Sequence, residues 1–115
     1  MAENIRPAVL LIVSRLVDAS MRPRFLELSA RFERWLTEQP GFLSYEVVDG
    51  GRTMADRIEW SSIADAERGN VAFAITDISA AFAEIVADYR ATLGHVVVNL
   101  ELWADAENPA RPDEM

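Results

Sequence analysis

No cysteine occurs among the 115 residues of the chain. That removes a disulfide framework, a thiolate metal site and a cysteine nucleophile together. It also suits a reducing compartment such as the cytoplasm. Histidine is reduced to one residue, His95, so a histidine-rich metal centre cannot be built, and the nearby carboxylates lack a ligand spacing. The five glycines form no phosphate loop, dinucleotide fingerprint or nucleophile elbow. Positive charge is short: 11 Lys and Arg against 19 Asp and Glu leave a net charge of −8. A surface of that sign repels nucleic-acid phosphates. Arg22, Arg24, Arg31 and Arg34 do cluster, but Glu27, Glu33 and Glu38 interleave with them, which describes a solvated helix face. No apolar run has the length of a membrane span, and the N-terminus lacks a signal-peptide pattern. A soluble, cytoplasmic protein is expected, without nucleic-acid or membrane partners.

What is present describes a globular chain. Half of the residues are hydrophobic and 26% are charged, enough apolar surface for one core but not two. One domain over residues 1–115 is expected, with its core at 8–103 and a loose acidic tail at 104–115. "AVLLIVSRL" (8–16) is apolar at both parities, which predicts a central strand buried on two sides. Ser20 then stands where a helix N-cap belongs, with Pro23 tolerated in the first turn. Phe25, Leu28, Phe32, Trp35 and Leu36 give that helix one apolar stripe, and Pro40-Gly41 ends it.

"FLSYEVVD" and "RTMADRIEW" alternate as strands around Gly50-Gly51, whose positive φ angles fit a two-residue hairpin turn. That turn pairs Asp49 with Arg52. It sets Val47 opposite Met54, Tyr45 opposite Asp56 and Leu43 opposite Ile58. The other face brings Ser44 to Arg57 and Phe42 to Glu59, with Glu46 diagonal to Arg57. Ser61 or Ser62 caps a short helix to about Phe73. Thr76 or Asp77 restarts a second, with Ile78, Ala81, Phe82, Ile85 and Tyr89 on one side. "HVVVNLELW" (95–103) predicts the last strand, split into Val96, Val98, Leu100, Leu102 and Val97, Asn99, Glu101, Trp103.

The order β-α-β-β-α-β predicts an α+β, ferredoxin-like antiparallel sheet with helices on one face. The second face, which would carry Val97, Trp103 and Phe42, needs a cover that so short a chain does not supply. A homodimer packed through that sheet face is the simplest answer. Arg57 and Glu59 then fall on the subunit-facing side.

The stretch "RPRFLELSARFERWLTEQPGFLSYEV", followed by "DRIEW" and an acidic-capped helix, resembles the dimeric α/β-barrel superfamily. It is most similar there to the antibiotic-biosynthesis-monooxygenase-type domain, over residues 8–103. That resemblance implies a pocket between sheet and helices in each subunit. By position it implies a lining of Ser14, Asp56, Trp60 and Asn70, with Tyr45 on the same face. Two departures count. Haem-degrading relatives carry an asparagine and a histidine ligand where this chain has Ser14 and Asn70, which argues against haem degradation. Quinone-forming relatives pair the tryptophan with an asparagine four residues earlier, where this chain has Asp56.

Oxygenation of a phenol without a cofactor needs an apolar pocket, a base for the phenolic proton, and donors that hold the anion. In this chain Asp56 would be the base, provided that burial raises its pKa from about 3.9. Trp60 and Asn70 would donate, and Tyr45 would hold Asp56. Ser14 and Tyr45 complete the set as substrate-binding residues. The substrate anion supplies the electrons, so neither metal nor cofactor is called for. The plainer account is that Asp56 only accepts a bond from Tyr45 or a helix N-terminus. Ion pairing likewise accounts for Arg57, Glu59, Glu46 and Glu101, and an exposed or interface position for His95. The sequence-level expectation is a monooxygenase-like protein acting on a small aromatic or polyketide-type compound. The alternative is a non-catalytic dimer of the same fold that binds a small ligand or plays a structural part.

Overall fold

The computed structural model describes residues 6–97. Four antiparallel strands form one sheet in the order β2-β3-β1-β4, built from β1 (Ala8–Leu16), β2 (Phe42–Gly50), β3 (Thr53–Trp60) and β4 (Val86–His95). The helices are α1 (Arg22–Leu36), α2 (Ile63–Ala74) and α3 (Asp77–Ile85). This is the ferredoxin-like α+β plan. The β-branched and leucine-rich β1 takes an interior place, between β3 and β4. Among the described residues no helix is long and apolar enough to cross a membrane.

Local chemistry accounts for most boundaries. Ser62 caps α2 by accepting from the Asp65 N–H at 3.1 Å, and Thr76 caps α3 by accepting from the Ser79 N–H at 3.1 Å. Each such cap satisfies an N–H that the helix itself leaves unpaired. Ser20 is not the cap expected of it. Asp18 Oδ1 instead accepts from the Ser20 N–H at 3.0 Å, opening a 3-10 turn over Ala19–Met21 that leads into α1. The carboxylate accepts more strongly than a hydroxyl, and α1 begins beside Pro23, whose missing N–H needs no cap.

The hairpin turn is one residue further on than the glycine pair suggests. Gly50 pairs with Thr53, and of the two turn glycines Gly51 alone has a positive φ, of 89°. Asp49 Oδ1 accepts from the Gly51 N–H at 2.9 Å, while the Arg52 side chain reaches the Leu16 carbonyl at 2.9 Å instead of Asp49. Asp49 takes Arg22 as its ionic partner, the guanidinium Nε donating at 2.7 Å. Tyr45 therefore lies opposite Ile58, Val47 opposite Asp56 and Glu46 opposite Arg57. The slip relative to expectation is two residues, an even number, so every side chain keeps its face.

Phe42 is the exception. The register shifts between Phe42 and Ser44, and Phe42 lies opposite Trp60, not Glu59. This bulge rotates Phe42 onto the helix-covered face, where its ring meets Trp60 edge-on at 6.1 Å. Leu43 does not face Ile58, and Ser44 lies opposite Glu59.

The last strand departs most from expectation. Tyr89 belongs to β4, not to the preceding helix, because α3 ends at Ile85 and the backbone turns extended at Val86. β4 pairs with β1 from Ala8↔His95 to Leu16↔Val86, with a register shift at Arg15/Leu16. Ladder hydrogen bonds with a central strand override the modest β-propensity of "VADYRATLGH". Val96 and Val97 follow the strand and are exposed. Val98, Asn99, Leu100, Glu101, Leu102 and Trp103 lie outside the described residues.

Even-numbered residues of β1 and β3 face the helices. Ala8, Leu10, Ser14 and Leu16 are buried on β1, as are Met54, Asp56, Ile58 and Trp60 on β3. The core has one cluster around Trp60, Phe32, Leu36 and Ile58 and another around Phe25, Leu28, Met54 and Leu16. On the opposite face of β1 only Val9 is buried within this chain, short of the two-sided burial expected of the whole strand. Leu11 and Val13 are each 47% exposed there.

Candidate functional site

Between sheet and helices the core is incomplete. A cavity of about 760 Å³, partly open to solvent, is left there, within the usual range for a small-molecule site. β1 contributes Leu10, Ile12 and Ser14, and β3 contributes Asp56, Ile58 and Trp60. α1 contributes Phe25, Phe32, Trp35 and Leu36; α2 contributes Gly69, Asn70 and Phe73; α3 contributes Ser79, Phe82 and Ala83. The aromatic side is a packed array, with Phe32 and Phe73 rings at 4.6 Å and Phe25 and Phe82 rings at 5.2 Å.

Asp56 stands in the middle of β3, flanked by Ile12 on β1 and Val47 on β2, and is 6% exposed. Its Oδ2 accepts from the Tyr45 hydroxyl at 3.1 Å, while its Oδ1 is buried without a hydrogen-bond partner among the described residues. Burial pushes its pKa up to about 6, against a smaller downward pull from the Tyr45 hydrogen bond. Tyr45 responds in kind: burial first, then the adjacent Asp56 charge, raises its pKa and keeps the phenol protonated. Tyr45 does not line the cavity. It stands behind Asp56, with its ring edge-on to Phe32 at 5.2 Å.

Trp60 follows four residues later on the same face and is 1% exposed. Its Nε1 is also buried without a partner. The indole lies across α2 at Gly69, where an added Cβ would come within 2.7 Å of Trp60 Cζ2. Nothing larger than hydrogen fits between that helix and the ring. Ser14, buried on β1 between Met54 and Tyr89, and Asn70, on the exposed part of α2, are on the cavity wall as well.

Four of the five expected residues, Ser14, Asp56, Trp60 and Asn70, thus share one cavity, and the fifth, Tyr45, supports Asp56. The expectation missed Gly69 and Tyr89. A glycine inside an otherwise helical pattern is the available signal for the first; the misassigned strand hid the second. Arg57 and Glu59 point away from the site, 3.7 Å apart on the other face, with Ser44 donating to Glu59 at 3.2 Å. His95 is remote too: at the exposed end of β4, its Nδ1 lies 3.1 Å from the Pro7 carbonyl. Among the described residues no group of three His, Cys, Asp or Glu side chains is placed to hold a metal.

No family model matches the sequence, and no curated protein matches it either. Solved structures do. SnoaB, a cofactor-independent oxygenase from Streptomyces nogalater, is 14% identical with a TM-score of 0.74, over 84% of this chain and 98% of that one. A conserved protein from Methanosarcina mazei is 9% identical with a TM-score of 0.70, over 81% and 95%. The ActVA-Orf6 monooxygenase of Streptomyces coelicolor, solved with nanaomycin D, is 18% identical with a TM-score of 0.63, over 85% and 93%. The chain has the fold of antibiotic-biosynthesis-type monooxygenases. At these identities the likeness carries the fold and leaves the reaction to be argued from the site.

Proposed function

We propose that the protein is a cofactor-independent monooxygenase acting on a small, multi-ring aromatic or polyketide-type phenol. One observation carries this reading: the two buried side-chain polar atoms without partners among the described residues, Asp56 Oδ1 and Trp60 Nε1, belong to residues on the wall of one aromatic-lined cavity. Leaving buried polar groups unpaired costs about 1–3 kcal/mol each, and a ligand that meets both, after each side chain turns its buried atom toward the cavity, recovers that cost. Four residues of strand put the two Cα atoms about 13 Å apart, a span that suits fused rings better than a single ring.

The chemistry follows from the residues. Asp56 Oδ1 takes the phenolic proton, and burial favours the neutral acid that results. Trp60 Nε1 and the Asn70 amide donate to the developing anion. The anion passes an electron to dioxygen, and the pair combines into a peroxide at a ring carbon that bears hydrogen. Asp56 returns its proton to the peroxide. Loss of water, made from the terminal oxygen, its proton and the ring hydrogen, leaves a quinone. One phenol and one O₂ give one quinone and one water. Substrate supplies the electrons, so the scheme calls on no resident cofactor.

The protein on this reading is a cytoplasmic homodimer, joined through the sheet face that carries Leu11 and Val13. A non-catalytic binder would use the same cavity, whereas a purely structural role gains nothing from leaving it open. Oxygen consumption with a panel of hydroquinones and anthrones separates these readings. Turnover that survives both Asp56→Asn and Trp60→Phe unchanged would refute the catalytic one.

A further inference from the structure

We infer that the cavity selects uncharged ligands that donate a hydrogen bond, and that Asp56 sets this selection. The inference rests on the reading that the cavity binds an aromatic ligand. It adds which members of that class enter.

Among the described residues, no lysine, arginine or histidine is on the cavity wall. Of the two acids there, Asp88 is paired with Arg15 at the rim, and both side chains are well exposed. Among the described residues Asp56 has no cationic partner, and its one hydrogen bond there comes from a neutral phenol. The interior therefore holds a single uncompensated negative charge among aromatic and aliphatic walls. A ligand carboxylate or sulfate would find no counter-ion and would face Asp56 across a medium that screens poorly. A ligand without charge avoids both costs.

The unpaired Oδ1 narrows the choice further. An ionised carboxylate only accepts hydrogen bonds, so the group against it must bring a hydrogen. An asparagine in that place would offer both a donor and an acceptor, and a ligand carbonyl would serve as well as a hydroxyl. Aspartate breaks that equivalence in favour of O–H. Trp60 Nε1, which only donates, asks the opposite at the other end of the cavity, where a carbonyl or ether oxygen fits.

Three ligands on one ring system test this by fluorescence titration at pH 8: 2-hydroxyanthracene, 2-methoxyanthracene and anthracene-2-carboxylate. The hydroxyl compound should bind about tenfold tighter than the methoxy compound, through the hydrogen bond to a charged acceptor. It should bind about a hundredfold tighter than the carboxylate, which adds repulsion to the lost bond. In Asp56→Asn the advantage over the carboxylate should shrink about tenfold or more, while the methoxy compound, whose oxygen can now accept from the amide, should bind as tightly as before or tighter and so report an intact cavity. Equal binding of all three by the unaltered protein overturns the selection but leaves the cavity reading standing. An unchanged preference in Asp56→Asn overturns the role given to Asp56. Failure of all three to bind overturns the cavity reading, and this inference with it.

Discussion

The Tyr45 hydroxyl donates to Asp56 at 3.1 Å although the two residues are not cross-strand partners. Tyr45 lies opposite Ile58, and the bond runs diagonally across the hairpin. A long, rigid side chain bridges a diagonal that shorter ones cannot. The bond opposes the burial that raises the Asp56 pKa, so Tyr45 tunes the acid without touching the cavity. Tyr45→Phe should raise the Asp56 pKa above its present value of about 6. Activity at pH 7 should fall a few-fold on the reading above, with recovery at higher pH. The stability cost should be about 1–2 kcal/mol. Carboxyl NMR titration of Asp56 reads the shift directly, and a titration that moves downward or not at all contradicts this account.

Asp56 also makes stability depend on pH in a direction unusual for a carboxylate. Its folded pKa of about 6 lies above the ordinary 3.8, so between those values the folded chain holds a proton that the unfolded chain has lost. Stability therefore falls as pH rises from about 4 to about 6 and levels off above, by about 3 kcal/mol for a shift of this size. Asp56→Asn removes the titration. It should match the parent below pH 4 and exceed it by about 1–2 kcal/mol at pH 8, after the loss of a charge-assisted bond from Tyr45. Urea denaturation at pH 4 and pH 8 measures both. A parent that is more stable at pH 8 than at pH 4, relative to the variant, reverses the sign and refutes the assignment.

Gly69 is the narrowest point of the α2–β3 packing. A methyl group there would press on the Trp60 ring, and the indole borders the cavity. Gly69→Ala gains helix propensity of about 1 kcal/mol and loses about 1–3 kcal/mol to overpacking. The net effect should be a stability loss of about 0–2 kcal/mol, whereas ligand affinity should drop tenfold or more as the ring enters the site. Glycine at this place for helix reasons alone would give the reverse: higher stability and unchanged binding.

Where the sequence speaks plainly, one chemical signal dominates. The unbroken apolar run of β1 has no competing reading, and Ser62 and Thr76 mark two helix starts with side chains that do the capping. The placement of Asp56 with Trp60 was legible from parity alone, which survives any even slip of register. What was hidden needed long-range information. β4 is a strand because β1 offers it a ladder, while its own residues continue a helical spacing from Ile85 to Tyr89. The bulge that turns Phe42 inward has no local signature, and Gly69 acquires its meaning only beside Trp60. Cavities are harder still, since they arise where large side chains from several elements fail to meet.

The outer sheet face makes the last prediction. Val48 and Val13 both lie opposite Ala55, forming an apolar row across three strands, with Val48 65% and Val13 47% exposed. Beside it runs the row Glu46, Arg57 and Leu11, charged at one end and apolar at the other. A second copy applied by a two-fold axis would lay apolar row against apolar row, and a stable pairing of this kind buries about 800 Å² per partner. Light scattering should therefore give twice the mass of one chain. Val13→Asp should halve it, because the carboxylate would be buried against its own symmetry mate. In a protein that works as a single chain the same substitution is an exposed change worth about 0.5 kcal/mol or less. A one-chain mass for the parent at micromolar concentration would mean that this face is left to water.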